Sequence, residues 1–373
     1  MSNIELQNGD LGFTTGKDQN TTYNGPKYLR YANPDITWEV GSKWNLGLDL
    51  GLFNDFNMSV DLFKETRSDI FMERQSIPQF IGTSPSDRYM DLKTKLYGNL
   101  GKVENKGMDL SVDYVHSFNK DFSMSFKGTF TYATNKVLEY DEPGYLAYPN
   151  LSRVGHSINQ PLLYIADRLF IDDEEVANSP AQKLGGFVQA GDIKYKDIPN
   201  ADGVCDGVID ANDRVYTGHP TVPEIVYGFG PSFQYKKWDF SFFFQGVART
   251  SIVVGDIHAF GTDGLRNVQK FIANDYWSES NQNIYAGYPR LSKQYNQNNT
   301  VASTYWLRNG AFLKLKDVEV GFSHKLFRVY LRGSNLLTFS PFDLWDPEQG
   351  NGNGMFYPTQ KSFNVGIQFS FNK

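Results

Sequence analysis

The sequence predicts an all-β fold, the antiparallel wall of a transmembrane β-barrel with about nine strands and long extracellular loops. Three observations carry that prediction. Apolar residues recur at every second position through nine separate segments, which is the period of a strand rather than of a helix. The connections between these segments alternate strictly between short and long. Aromatic residues make up 15% of the 373 residues, with 34 glycines and a mean hydropathy of -0.46, a profile of many short alternating strands. No uncharged apolar run approaches the roughly 20 residues that a membrane helix needs, whereas a barrel strand needs only about 9 to 11 with alternate ones apolar.

The first strand is read where Trp38, Val40, Trp44, Leu46, Leu48 and Leu50 share one face while Glu39, Lys43, Asn45 and Asp49 take the other. Phe56, Met58, Val60 and Leu62 make the second, and Met108, Leu110, Val112 and Tyr114 the third. In the fourth, Phe122, Met124, Phe126, Phe130 and Tyr132 oppose Ser123, Ser125, Lys127, Thr129 and Thr131. Ile225, Tyr227, Phe229, Phe233 and Tyr235 define the fifth, and Trp238, Phe240, Phe242 and Phe244 the sixth. The seventh runs from about Ala311 to Ser323, and its apolar phase changes from Leu313 and Leu315 to Val318, Val320 and Phe322. That change predicts a bulge near Lys316 and Asp317. Phe327, Val329 and Leu331 make the eighth strand; Phe363, Val365, Ile367, Phe369 and Phe371 make the ninth.

A soluble sandwich also alternates, so the connections decide. Short turns at Gly51 to Asp55, Ser117 to Lys120, Lys236 to Lys237 and His324 to Lys325 alternate with loops of roughly 35, 90, 60 and 25 residues. Short periplasmic turns and long extracellular loops are the habit of a membrane barrel, and the longest loop is read as 134–223. If the last strand ends in the periplasm, residues 1 to about 35 lie outside the cell. Nine strands entered from outside do not make a complete barrel of even count, and open edges in lipid would cost several kcal/mol per unpaired backbone group. The chain is therefore expected to be the C-terminal part of a larger barrel, 1–373, without a plug domain. Its start, MSNIELQNGD, lacks the basic and apolar regions of a secretory signal, so the chain as written is not expected to be exported alone.

Several segments resemble the C-terminal region of the SusC/RagA family of TonB-dependent outer-membrane transporters, found in Bacteroidota. The run Trp306-Leu-Arg-Asn-Gly-Ala-Phe-Leu-Lys-Leu-Lys-Asp-Val-Glu-Val-Gly-Phe322 resembles the family's strand after an Asn-Gly turn. Val329-Tyr-Leu-Arg-Gly-Ser-Asn-Leu-Leu-Thr-Phe339 resembles its penultimate strand, Trp345-Asp-Pro-Glu348 the loop that follows, and Tyr357-Pro358 the approach to its final strand. Asn33-Pro-Asp-Ile-Thr-Trp-Glu39 and Asn105-Lys-Gly-Met-Asp109 fit upstream. The matches span nearly the whole chain in the family's order. The resemblance implies a complete barrel of about 22 strands, an N-terminal plug, a TonB box, and a SusD-like lipoprotein that closes over the extracellular mouth. It further implies import of a bulky nutrient, an oligosaccharide or other glycan or a peptide, across the cell outer membrane. Contact with TonB is expected only through a missing N-terminal part. Outer-membrane lipids and the barrel assembly machinery are the other implied partners. The machinery would read the terminal strand, Phe363, Val365, Ile367, Phe369 and the final aromatic Phe371, which Asn372 and Lys373 follow.

Other function classes find little support. A net charge of -6 with scattered basic residues argues against a nucleic-acid surface, and the single Cys205 excludes an internal disulfide. The histidines share no zinc-like spacing, and Gly185-Gly186 lacks the Lys-Ser/Thr step of a phosphate loop. Asp172, Asp173, Glu174 and Glu175 are adjacent acids with no catalytic separation, read as a solvated run rather than a glycosidase pair. The competing classes are a plug-free porin or surface adhesin, and a soluble β-rich carbohydrate-binding module or glycosidase. No catalytic residue, and no cofactor beyond a possible calcium ion, is expected.

Four groups of residues remain as candidates for a role. Asp202, Asp206, Asp210 and Asp213 occupy positions 1, 5, 9 and 12 of a calcium-type loop, with Gly207 at position 6. Val204 at position 3 and an Asp at position 12 depart from that pattern, Asp197 or Asn200 could compensate, and a plain Asp/Gly turn is the alternative. The loop aromatics Tyr145, Tyr148, Tyr164, Tyr276, Trp277, Tyr285, Tyr288 and Tyr305 could stack on a glycan or peptide, meet a lid protein, or simply pack the loops. Trp38, Trp44, Tyr132, Tyr235 and Trp238 lie near strand ends, where interfacial girdles form. Asp49, Asp61, Asp109, Asp113 and Asp239 point to the other face, the expected polar lumen.

Overall fold

The computed structural model describes residues 3–6, 13–23, 26–30, 33–76 and 96–370. Nine long strands form one antiparallel sheet: β1 (Val40–Leu52), β2 (Phe56–Glu73), β3 (Tyr97–Ser117), β4 (Phe122–Glu139), β5 (Ile225–Tyr235), β6 (Trp238–Ala248), β7 (Phe312–Ser323), β8 (Phe327–Phe339) and β9 (Ser362–Phe369). Each strand pairs with its neighbours in sequence, so the sheet is an up-and-down meander with β1 and β9 at its two edges. All nine predicted strands are present. Phe371 lies outside the described residues.

The register sorts side chains by polarity. One row runs Leu46, Leu62, Met108, Tyr132, Ile225, and the next Leu48, Val60, Leu110, Phe130, Tyr227. Further along, Phe233, Phe240, Val320, Leu331 and Val365 continue the apolar face. None of these residues is buried; Leu46 and Leu48 are more than half exposed and Val365 is 76% exposed. A contiguous apolar surface of this extent is unusual on a protein bathed in water. Burial in lipid would stabilise each such side chain by about 1.5–3 kcal/mol. On β4, Phe122 to Tyr132 spans ten steps, about 26 Å along the membrane normal at roughly 3.4 Å per residue and a tilt near 40°. That matches the hydrocarbon band of an outer-membrane barrel, about 25 Å.

Aromatics close both ends of the band. Trp44 stands one row beyond Leu46 at one end, next to Tyr132's row. At the other, Phe118 stacks on Phe122 at 5.1 Å, Phe122 meets Tyr235 at 6.5 Å, and Trp238 meets Phe322 at 5.0 Å. The short turns sit at this second end. In the β3–β4 turn, Asn119 Oδ1 accepts the backbone N–H groups of Asp121 and Phe122, an Asx arrangement suited to a tight reversal.

Two features differ from the alternation. β2, β3 and β4 extend well beyond their apolar stretches, so β2 reaches Glu73, β3 begins at Tyr97 and the longest inter-strand segment starts after Glu139. Beyond the band both faces meet water, and alternation loses its cause. The predicted bulge is present, because Phe243 faces Asp317 and Phe244 faces Leu315, which leaves Lys316 unopposed.

The long loops are not structureless. Residues 140–224, 249–311 and 340–361 fold into one cap around a shared core that includes the fully buried Leu169, Ile193, Ile209 and Ile272, with Ile252, Trp277, Trp306 and Phe342. Short ladders brace it, including Leu162–Tyr164 against Arg214–Tyr216 and Ser251–Val253 against Leu307–Asn309. Among the described residues no helix is long and apolar enough to cross a membrane.

Candidate functional site

The second face of the wall is a polar surface laced by ion pairs. Ser59 Oγ donates to Asp49 at 2.5 Å and Thr131 Oγ1 to Asp109 at 2.7 Å. Asp61 lies opposite Asp109, and Asp113 faces Lys127 at 3.7 Å. Across the sheet Arg328 binds Asp239 and, at 2.6 Å, Glu319, while Arg332 binds Asp317 at 2.8 Å. Each predicted lumenal aspartate therefore shares this face, and most are tied to a hydroxyl or a cation. Such a surface offers hydrogen bonds and fixed charges to a polar solute.

The cap is fastened to this same face through Lys314. Lys314 on β7 is 1% exposed and donates to Asp346 at 2.6 and 2.7 Å and to Glu348 at 2.6 Å. The neighbouring Lys316, free of a cross-strand partner because of the bulge, binds Glu348 at 2.5 Å. Asp346 also accepts the Glu348 N–H as the N-cap of the turn Pro347–Gln349. Trp345 packs edge-on to the buried Phe342 at 4.8 Å. The Trp345-Asp-Pro-Glu348 run is thus a clasp. Burial by itself raises the carboxyl groups of Asp346 and Glu348, but the bonds from Lys314, joined at Glu348 by Lys316, outweigh it and hold both below their usual range. Sequence reading missed this site, since its halves lie 32 and 34 residues apart. Its only local signal is a pair of lysines on a strand that otherwise reads as apolar.

The loop aromatics divide. Tyr164, Trp277 and Tyr288 are buried in the cap core, with Tyr276 and Tyr305 packed against it. Tyr305 donates its hydroxyl to the Ala286 carbonyl at 2.6 Å, and Tyr288 accepts the Ala259 N–H at 3.0 Å. Gly191, at φ +78°, has the Trp277 ring where a Cβ would stand, 2.2 Å away, so Gly is required there. Tyr145 and Tyr148 are half-buried, and Tyr285 is exposed. Packing accounts for the buried ones, and Tyr285 is the member of the set most open to a ligand.

In the acidic turn Asp202 and Asp206 are exposed and Asp213 is buried. Asp206 accepts the Val208 N–H, Asp210 that of Asn212, and Asp213 those of Ile198 and Asp210. Burial, with repulsion from Asp197 and Asp210, pushes Asp213 above the usual carboxylate range despite those bonds. Three of the four candidate ligands thus hold the turn's own backbone, and among the described residues no group of three or more His, Cys, Asp or Glu side chains is placed to hold a metal. The run at 172–175 is not simply solvated. Asp172 caps the short helix Asp173–Ala177. Glu175 is gripped by Arg168 at 2.5 and 3.0 Å and by Lys194 at 2.7 Å, and Arg168 foremost holds its carboxyl down at about 2.

On β9, Phe363, Val365, Ile367 and Phe369 share the outward apolar face, opposite Gly333, Leu331, Val329 and Phe327 of β8. The Asn105-Lys-Gly-Met-Asp109 run also gains a reason. A Cβ on Gly107 would stand 2.1 Å from the Tyr132 carbonyl oxygen and 2.6 Å from the Phe63 ring, so only glycine lets β3 and β4 close at that row.

Comparison with known proteins agrees with this architecture. The chain is 24% identical over 383 residues to TonB-dependent receptor P3 of Formosa agariphila, covering 93% of this chain and 36% of that protein. It is 24% identical over 376 residues to TonB-dependent receptor SusC of Bacteroides thetaiotaomicron, covering 94% and 34%. The chain therefore spans about a third of the length of these relatives. Among solved structures, the RagAB peptide transporter superposes with a TM-score of 0.69 at 24% identity, over 100% of this chain and 38% of the other. Its open-open state gives 0.69 at 22% identity. Proteins of this kind reside in the outer membrane, and the apolar band places this wall there. The family model for the TonB dependent receptor-like β-barrel matches residues 7–336, and the chain belongs to that family.

Proposed function

We propose that this chain forms the C-terminal wall and extracellular cap of a TonB-dependent transporter that imports a bulky nutrient, an oligosaccharide or a peptide, across the outer membrane. The observation that carries the reading is the pairing of a 26 Å lipid-facing apolar band with a cap clasped to the opposite, ion-paired face through Lys314. A wall of this kind encloses a polar passage and covers its outer mouth. The two open edges, β1 and β9, are the places where further strands would complete the barrel. Coupling to TonB would reside outside this chain, in a plug, and a SusD-like lipoprotein would seat on the cap; the likeness to SusC and to a peptide transporter supports nutrient import.

The test is uptake. Cells lacking the gene that carries this chain are supplied with fluorescent oligosaccharides and peptides, with and without a functional TonB. Loss of uptake on deletion of either supports the proposal. Uptake that needs this gene but not TonB would favour a plug-free porin, and unchanged uptake with lost surface adhesion would favour an adhesin.

A further inference from the structure

Immediately beyond the apolar band, the outward face becomes basic. The row above Leu46 and Tyr132 runs Trp44, Lys64, Lys106, Thr134, and the next runs Ser42, Thr66, Glu104, Lys136. Period two puts all of these on the lipid-facing side, at the end of the wall that carries the cap. There a cavity of about 430 Å³ opens between the wall and the cap, lined among others by Lys106, Tyr132, Lys136, His219, Glu224 and Arg249. That volume suits a small-molecule group rather than a single ion.

The charges in and around it are unequal in their commitments. Glu104 is taken by Lys64 at 2.8 Å. Glu224, 6% exposed, accepts from Thr134 Oγ1 and from Arg249 Nε, each at 2.7 Å. Arg249 in turn lies over the Tyr132 ring at 5.9 Å. Both acids are thus neutralised, whereas Lys106 and Lys136 are exposed and, among the described residues, have no carboxylate within ion-pairing distance. Two ammonium groups with no direct ion pair, both within electrostatic reach of Glu104, therefore flank a cavity whose floor is the top of the hydrocarbon band.

We propose that this pocket binds the phosphate-bearing headgroup of an outer-leaflet lipid, with Lys106 and Lys136 as its cationic contacts and Tyr132 against the first part of its chains. The inference rests on the membrane-wall reading above. Its height decides the occupant. A soluble anion has no need of an apolar floor, whereas a lipid presents its phosphate at the level of the girdle and its chains directly below. Each lysine at a membrane surface adds about fivefold to the affinity for an anionic headgroup, and the pair roughly thirtyfold.

The experiment uses the complete receptor that carries this chain, in nanodiscs of equal parts phosphatidylglycerol and phosphatidylcholine, with the lipids it retains counted by native mass spectrometry. Preferential retention of phosphatidylglycerol is expected, reduced roughly thirtyfold in Lys106→Gln/Lys136→Gln and preserved in Lys106→Arg/Lys136→Arg. Lys127→Gln, on the opposite face, should retain the preference. A glutamine pair that keeps the full preference overturns the proposal. So does loss of phosphatidylglycerol to excess inorganic phosphate at constant ionic strength, which would mark a free-anion site. A receptor that enters the nanodisc without lipid preference refutes the pocket alone, whereas one that does not enter refutes the wall.

Discussion

Lys314→Met removes the ammonium from the clasp between β7 and the last loop while keeping most of the side-chain volume. The wild-type ammonium is 1% exposed and makes three contacts of 2.6 to 2.7 Å. Removing one partner of a buried pair costs about 3–5 kcal/mol, because the other charge stays buried. Here the lower end applies, since the Asp346 and Glu348 side chains retain 18% and 24% exposure and Lys316 still holds Glu348. A loss of about 3 kcal/mol raises the locally open fraction of segment 340–361 roughly a hundredfold. Hydrogen exchange of the Phe342 to Gly350 amides should accelerate by that factor in the purified receptor, with β7 and β8 unchanged. Adding Asp346→Asn should recover part of the loss by removing an orphaned charge. Acidification should mimic the substitution. Both carboxyl groups are held below their ordinary values of 3.8 and 4.5, so the stabilisation is present above those values and lost as pH falls through the depressed ones. Exchange in Lys314→Met within threefold of wild type would refute the clasp.

Three further outcomes follow from the same geometry. Gly107→Ala should destabilise the β3–β4 pairing by about 1–3 kcal/mol, seen as a lower urea midpoint, because the added Cβ meets backbone that cannot yield; an unchanged midpoint contradicts it. Glu175, ordinarily near 4.5, is held at about 2, so its grip on Arg168 and Lys194 is intact above 4.5 and should weaken as pH falls toward 2. Exchange at Ile171, whose N–H Glu175 accepts at 2.9 Å, should then rise, and Glu175→Gln should remove that pH dependence. For calcium at Asp202, Asp206, Asp210 and Asp213, Asp213 already accepts backbone N–H groups on both carboxylate oxygens and Asp206 and Asp210 on one each, so calorimetry should find binding no tighter than about millimolar; micromolar affinity would contradict the turn described here.

The strands were legible because lipid on one side and a polar interior on the other impose period two; the alternation of Phe122, Met124 and Phe126 with Ser123, Ser125 and Lys127 is that boundary written in residues. Even the bulge at Lys316 left its mark as a change of phase. Where the lipid stops, so does the signal. Lys64, Glu65, Thr66 and Arg67 continue β2 in good register, yet their pattern is that of any hydrated segment. The cap was illegible for another reason, namely that its contacts join residues far apart in the chain. The buried Asn298 donates to the Ile193 carbonyl 105 residues away, and no local window contains both. The same distance hid the clasp at Lys314 and turned loop aromatics such as Trp277 into core.

The central claim, that one face of this wall meets lipid and the other a polar interior, is tested most directly by paired substitutions on adjacent residues of β4. Phe126 lies opposite Tyr114 and Pro231 on the apolar face, and Lys127 opposite Asp113 on the polar one. An arginine facing lipid near mid-membrane costs about 2–4 kcal/mol. Heat-modifiable migration of the receptor on gels, a measure of barrel assembly, should be lost or sharply reduced in Phe126→Arg and retained in Lys127→Glu. Equal assembly of the two variants would contradict the assignment of the faces.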